Sequence, residues 1–372
     1  MSAEMKGVGK YCHRLISELT TIMPTDWQFR VLVFNRDFPE IVSERVTDYI
    51  QISPLSETRK GLRYLPHYDS TKNYDVLFTA NECIVGRIQR PRVTVCHDIN
   101  ELMWEAQRQS IWSPRTFVNR IQQQVRIRSI CRCSLIACNS EFVRKEIIER
   151  YGVQQETTRL AFCGVDDLFY TNESNSDCDR KTLLEKSARY VLTFATGDPR
   201  ENYWLLPDIL ETIRRRHPDV RMVVAGIFEN RPYTAILRKA FADHNLTEGQ
   251  DFEFVRFIGE RNIRELVELY RGASVYLELS GHEGFGMQLA EAMACGIRCV
   301  ATPFGALSEI GGEFVSYVRD LKATTIAETV CNELDEIKPH TRRRAQIEFT
   351  RRYSWAESAR VIGKAIEDAV AG

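Results

Sequence analysis

The chain has 372 residues, 44% hydrophobic and 27% charged, with 50 Lys and Arg against 51 Asp and Glu. That balance, with a mean hydropathy of -0.31, is the composition of a soluble globular protein and gives nucleic-acid binding no support. The length exceeds one ordinary core, so two domains are expected.

No apolar run reaches membrane-spanning length and the start lacks a signal-peptide pattern, which predicts a cytoplasmic protein. The 11 Cys form no convincing metal quartet. Cys131-x-Cys133 is the closest pair, and free thiols in a reducing compartment are the expected state. The expectation is no metal and no cofactor.

In chain order, Gly7-Val-Gly9-Lys-Tyr11 opens a helix. Strands are predicted near Phe29 to Phe34, Tyr74 to Thr79, Arg92 to Cys96, Ser134 to Cys138 and Thr158 to Cys163. His97-Asp98 follows the third of these, and Trp104 and Trp112 flank the segment beyond it. Residues 115–132 carry five Arg, scattered around a helical wheel, as on a solvated helix. Asn139-Ser-Glu-Phe142 leads into a helix ending at Tyr151-Gly152.

The polar run Asn172-Glu-Ser-Asn-Ser-Asp-Cys-Asp-Arg180 reads as a linker. Strands follow near Tyr190 to Ala195, Arg221 to Ala225, Phe252 to Ile258, Ser274 to Leu279 and Ile297 to Ala301. The alternation of strand and helix predicts parallel sheets covered by helices. The expected division is 1–168, a linker at 169–188, a second domain at 189–353, and a terminal helix at 354–372.

The stretch Ser280-Gly-His-Glu-Gly-Phe-Gly-Met-Gln-Leu-Ala-Glu-Ala-Met-Ala-Cys-Gly296 carries the clearest chemistry. A buried strand, a glycine turn and a helix from Met287 to Ala294 aim backbone N–H groups and a positive helix end at an anion. Gly284 and Gly286 let the backbone approach a ligand. Glu283 could accept from sugar hydroxyls beside that anion, and Glu291 could reach a ribose. The plain alternative is that a first-turn Glu merely answers the helix dipole, and a lone Glu-x7-Glu would carry nothing.

With Thr302-Pro-Phe-Gly-Ala-Leu-Ser-Glu-Ile310 behind it, Glu283 to Gly296 resembles the signature of the family 4 glycosyltransferases. The resemblance implies a GT-B fold: two Rossmann-like α/β domains facing across a cleft, with the C-terminal helix crossing back to the first. It implies a retaining, metal-independent hexosyltransferase that takes a UDP- or GDP-sugar donor. The acceptor would be a glycan, a lipid-linked or a small molecule, as in polysaccharide or glycolipid biosynthesis.

The roles it implies are His97 and Glu283 at the reacting sugar. Gly7, Gly9, Thr196, Arg200, Gly284, Phe285, Gly286, Met287 and Glu291 would surround the donor. The segment Thr196-Gly-Asp-Pro-Arg-Glu-Asn202 resembles the second domain's phosphate-side loop. Residues 1–168 carry 23 Lys and Arg against 20 Asp and Glu, which could favour peripheral contact with an anionic membrane face.

Two departures stand out. Only six residues precede Gly7, where the family has a full central strand, so either the start is late or neighbouring strands would expose unpaired edges. At Thr196 and Glu201 basic side chains would be commoner, and Arg200 is the expected substitute on the diphosphate.

The competing expectation is a non-catalytic GT-B homologue that binds a partner or nucleotide sugar without turnover. A GT-B enzyme making a sugar phosphate or disaccharide would share every residue named. Asp177-Cys-Asp179 lies in the linker and reads as solvated charge. Gly7 and Gly9 lack the third glycine and preceding strand of a dinucleotide site.

Overall fold

The structure, a computed structural model, describes residues 7–33, 40–41, 43–51, 65, 73–81, 85–98, 124–170, 189–227, 232–256, 263–336 and 340–372. Trp104, Trp112, residues 115–123 and the 172–180 linker with Asp177 and Asp179 lie outside these. The chain divides into two compact units, residues 1–164 with 353–372, and residues 165–352.

In the first unit, β1 (Phe29–Val33) pairs with β2 (Val46–Gln51) as one parallel ribbon. Then β3 (Leu77–Thr79), β4 (Arg92–Cys96), β5 (Leu135–Cys138) and β6 (Thr158–Leu160) form a separate four-stranded parallel sheet in that order. Among the described residues β1 pairs only with β2, and β3 only with β4. β6 ends at Leu160, short of the Thr158 to Cys163 that the sequence predicts, although Ala161 N still donates to Cys138 O at 2.8 Å. The β4 and β5 side chains are buried throughout, as the apolar runs require.

Among the described residues the first unit has the helices α1 (Gly7–Ile22) and α2 (Glu141–Tyr151), a helical stretch over 124–130, and a terminal helix taken up below. The Ser140 hydroxyl caps α2 by accepting from Val143 N at 3.1 Å, and Gly152 ends it at φ +66°.

In the second unit, β7 (Tyr190–Phe194), β8 (Arg221–Ile227), β9 (Phe252–Arg256), β10 (Val275–Glu278), β11 (Arg298–Ala301) and β12 (Ser316–Tyr317) form one parallel sheet. Its order is β12-β11-β10-β7-β8-β9. This is the doubly wound order, and it reverses direction between β7 and β10.

The second unit's helices are α3 (Leu206–Arg216), α4 (Pro232–Asp243), α5 (Ile263–Gly272), α6 (Met287–Ala294), α7 (Leu307–Gly311), α8 (Ala323–Asp335) and α9 (His340–Thr350). On α3 the residues Leu206, Ile209, Leu210 and Ile213 repeat at helical spacing and are fully buried against Val191, Met222 and Val224 of the sheet.

The terminal helix α10 (Trp355–Ala371) belongs to the first unit, where it packs on α1, β4, β5 and β6. Trp355 covers Gly164 so closely that a Cβ there would meet the indole at 2.3 Å.

Candidate functional site

In an open parallel sheet the ligand crevice lies beyond the carboxyl ends of the strands where their order reverses. In the second unit that point falls between β7 and β10. Two turns leave it, Thr196–Asn202 after β7 and Ser280–Gly286 after β10, and most of the predicted donor residues fall on them.

The turn after β10 is held by hydroxyl and backbone contacts. The Ser280 hydroxyl donates to His282 O at 3.1 Å, and Ala306 N donates to Glu283 O at 2.8 Å. The Thr302 hydroxyl donates to Ser280 O. Gly305, at φ +65°, passes so near that a Cβ would lie 2.3 Å from Glu283 O. Gly286 takes φ +94° and leads into α6, with no side chain capping the helix start. Gly284, Phe285 and Gly286 are buried, while Glu283 and Met287 are half-buried. Four N–H groups at a helix start need outside partners, so this end is suited to an anion.

Glu291 lies on α6, only 6% exposed, and accepts from the Tyr270 hydroxyl at 3.2 Å. Burial and the neighbouring Glu291 carboxylate hold the Tyr270 hydroxyl well above its ordinary pKa, so it remains a donor. Glu278, at the end of β10, accepts from the Tyr276 hydroxyl at 2.6 Å and from Ser280 N at 3.2 Å. Burial first, then the Glu283 carboxylate, pushes the Glu278 carboxyl up.

The turn after β7 is closed by its own side chains. Glu201 accepts from Thr196 N at 2.7 Å and from the Thr196 hydroxyl at 2.6 Å. Arg200 donates to Asp198 Oδ2 through Nε at 3.1 Å and through Nη2 at 2.8 Å. The expected diphosphate substitute is therefore already engaged by a carboxylate. The two turns are bolted together where Gly281 N donates to Arg200 O at 2.7 Å and Asn202 Nδ2 donates to Leu279 O at 2.8 Å.

In the first unit His97 is 8% exposed, and its Nε2 lies 2.9 Å from Ala80 O. A neutral ring donating there has Nδ1 as its acceptor. The Tyr11 ring meets His97 edge-on at 4.3 Å, and Tyr11 in turn packs on Trp355 at 5.4 Å. Gly7 and Gly9 open α1, the helix that carries Tyr11. The structure thus gathers Thr196, Arg200, Glu283 to Met287 and Glu291 in the second unit, and Gly7, Gly9 and His97 in the first.

Sequence reading missed Glu278, Tyr270 and Asn202. The one available signal was a carboxylate closing the otherwise apolar strand Val-Tyr-Leu-Glu278. Among the described residues, no three His, Cys, Asp or Glu side chains group as metal ligands. No described helix is long and apolar enough to cross a membrane.

Comparison with known proteins agrees with this geometry. Residues 5–167 match the family model described as Glycosyltransferase Family 4, and residues 175–335 match that described as Glycosyl transferases group 1. The chain belongs to the family 4 glycosyltransferases.

Among this family 4 protein's curated relatives, O-antigen chain mannosyltransferase B of Escherichia coli is 28% identical over 293 residues, covering 75% of this chain and 66% of that one. A D-inositol 3-phosphate glycosyltransferase of Mycolicibacterium gilvum is 26% identical over 240 residues, covering 62% and 52%. The chain thus spans about half to two thirds of the length of these relatives.

Among solved structures, Anabaena Alr3699/HepE in complex with UDP-glucose matches with a TM-score of 0.70 at 18% identity, over 100% of this chain and 97% of that one. WaaG, a glycosyltransferase involved in lipopolysaccharide biosynthesis, matches with a TM-score of 0.70 at 15% identity, over 99% and 97%. The fold of the family 4 protein is GT-B.

Proposed function

We propose that the protein transfers a sugar from a nucleotide diphosphate donor to an acceptor hydroxyl, retaining the anomeric configuration and without a metal ion. The observation that carries this is the turn Ser280–Gly286 running into α6 at the sheet's switch point, with Glu283 at its mouth and Glu291 on the helix. The bond from the anomeric carbon to the diphosphate oxygen breaks and the bond to the acceptor oxygen forms. The acceptor proton passes to the departing phosphate oxygen.

Charge develops on that diphosphate, and the fixed amides near Gly284 to Met287 stabilise it where it appears. Preorganised dipoles of this kind supply most of the rate enhancement in many enzymes. Glu283 holds the sugar hydroxyls and Glu291 the ribose. His97 serves the acceptor side by positioning rather than as a base. A mannosyltransferase and a UDP-glucose complex among the relatives and neighbours favour a hexose donated from UDP or GDP. O-antigen and lipopolysaccharide glycosylation among them favour a glycan or lipid-linked acceptor, reached by peripheral membrane contact.

The test is a thermal-shift panel of UDP, GDP, UDP-glucose and GDP-mannose, run beside Glu283→Ala and Glu291→Ala. Stabilisation by one nucleotide class, lost in Glu291→Ala, is the expected result. NMR of the product's anomeric centre then reads retention. A folded protein that no donor shifts would instead be a binding homologue without turnover.

A further inference from the structure

Glu201 is not one of the residues assigned above to the donor, yet it sits at the head of the switch-point crevice. Its carboxylate spans the Thr196 amide and hydroxyl at 2.7 and 2.6 Å. Those are the first hydrogen-bond donors of the turn that follows β7. An anionic ligand that would use them meets a carboxylate already in place.

The surroundings reinforce the problem. Asp198 and Arg200 lie on the same turn and are bound to each other. Glu278, with Tyr276 bonded to it, closes β10, and Glu283 follows beside His282 in the next turn. The carboxylates of Asp198 and Glu283 both raise the proton affinity of Glu201, and Glu201 does the same to Glu278. Burial first, then these charges, pushes the Glu201 carboxyl up to about 7.

We propose that Glu201 makes donor binding proton-coupled: the diphosphate enters together with one proton, taken from solvent onto the Glu201 carboxyl. This rests on the reading that a nucleotide sugar binds the second unit. A protonated Glu201 keeps one oxygen to accept from Thr196 and gains one O–H to donate to a phosphate oxygen. The same side chain that repels the donor when ionised then holds it when neutral. Arg or Lys at this position would hold the phosphate with no proton step near neutral pH. Glu201 is thus a specificity-determining residue that ties donor affinity to pH.

The experiment is calorimetric titration of UDP-glucose and of GDP-mannose at pH 6, 7 and 8, in two buffers of different ionisation enthalpy. The diphosphate diester of a sugar nucleotide does not titrate in this range, so any slope belongs to the protein. Affinity is expected to fall about tenfold from pH 6 to pH 8, with close to one proton taken up per donor bound at pH 8. Glu201→Gln is expected to remove both the slope and the proton uptake, and to bind more tightly than the parent at pH 8.

A parent protein that binds donor with a flat affinity and no buffer dependence overturns the proposal. So does a slope that survives Glu201→Gln but vanishes in Glu278→Gln, because the proton would then reside on Glu278. A folded protein that binds neither donor even at pH 6 overturns the underlying donor-site reading instead.

Discussion

The two turns at the switch point are neighbours and are built on opposite principles. The turn after β10 is fixed by glycines, backbone groups and the uncharged hydroxyls of Ser280 and Thr302: Gly305 and Gly286 take left-handed angles, and Glu283 O is held by Ala306 N at 2.8 Å. The turn after β7 is fixed by side chains, through Glu201 on Thr196 and Arg200 on Asp198. Backbone and hydroxyl contacts do not titrate near neutral pH and tie up no charged side chain. Side-chain-built geometry depends on protonation and uses up the groups it ties together. The difference teaches that, under the proposed donor reading, one crevice would carry a permanent anion seat beside a conditional one.

The sharpest way to break the fixed turn is Gly305→Val. The position combines φ +65° with a Cβ 2.3 Å from Glu283 O and 2.5 Å from Glu283 N, so the backbone itself must move. Calorimetry should find donor binding weakened by about a hundredfold or more, and thermal melting should show a stability loss of about 2–4 kcal/mol.

Asn202 is the bolt between the turns, buried, at φ +49°, and donating to Leu279 O. Asn202→Ala should cost about 1–3 kcal/mol by denaturant titration, because a buried carbonyl loses its donor. Asn202→Gly keeps the backbone angle open and separates the lost bond from the strain. If donor affinity survives both, the two turns act independently.

The conditional turn should show itself in stability as well. Glu201 and Glu278 have raised carboxyl pKa values, from an ordinary 4.5 to about 7 for Glu201. Between those values the folded state keeps a proton that the unfolded chain has lost. Stability is therefore highest at the acid end of that window and falls as pH rises through neutrality. The melting temperature should drop by about 3–6 °C between pH 5 and pH 8, and Glu201→Gln should flatten the curve.

The smallest effect is expected at Arg150→Ala, whose exposed guanidinium pairs with Glu146 at 2.8 Å on α2. A loss of about 0.3–0.5 kcal/mol and unchanged donor affinity would mark the other responses as specific to the switch point.

Much of the architecture was legible because its causes are local. The runs around Arg92–Cys96, Leu135–Cys138 and Tyr190–Phe194 are apolar and β-branched, and they fold as strands. The helix expected from Met287 to Ala294 has those bounds, because Gly286 starts it and Gly296 follows its end at φ +71°. β2 was not legible: Val-Thr-Asp-Tyr-Ile-Gln51 mixes polar residues into a ribbon edge. β12, two residues long, carries no period at all.

The sequence by itself determined the alternating strand and helix units and the glycine turn with Glu283 and Glu291, because periodicity and backbone freedom are properties of neighbouring residues. Only the tertiary structure decided that the first unit's described strands form two separate sheets. It alone set Glu201 onto Thr196 and Glu278 beside Glu283, and tied Asn202 to Leu279. Pairing, desolvation and charge coupling depend on what the folded chain brings within a few ångströms, and residues 77 positions apart, like Asn202 and Leu279, meet only when the whole sheet is assembled.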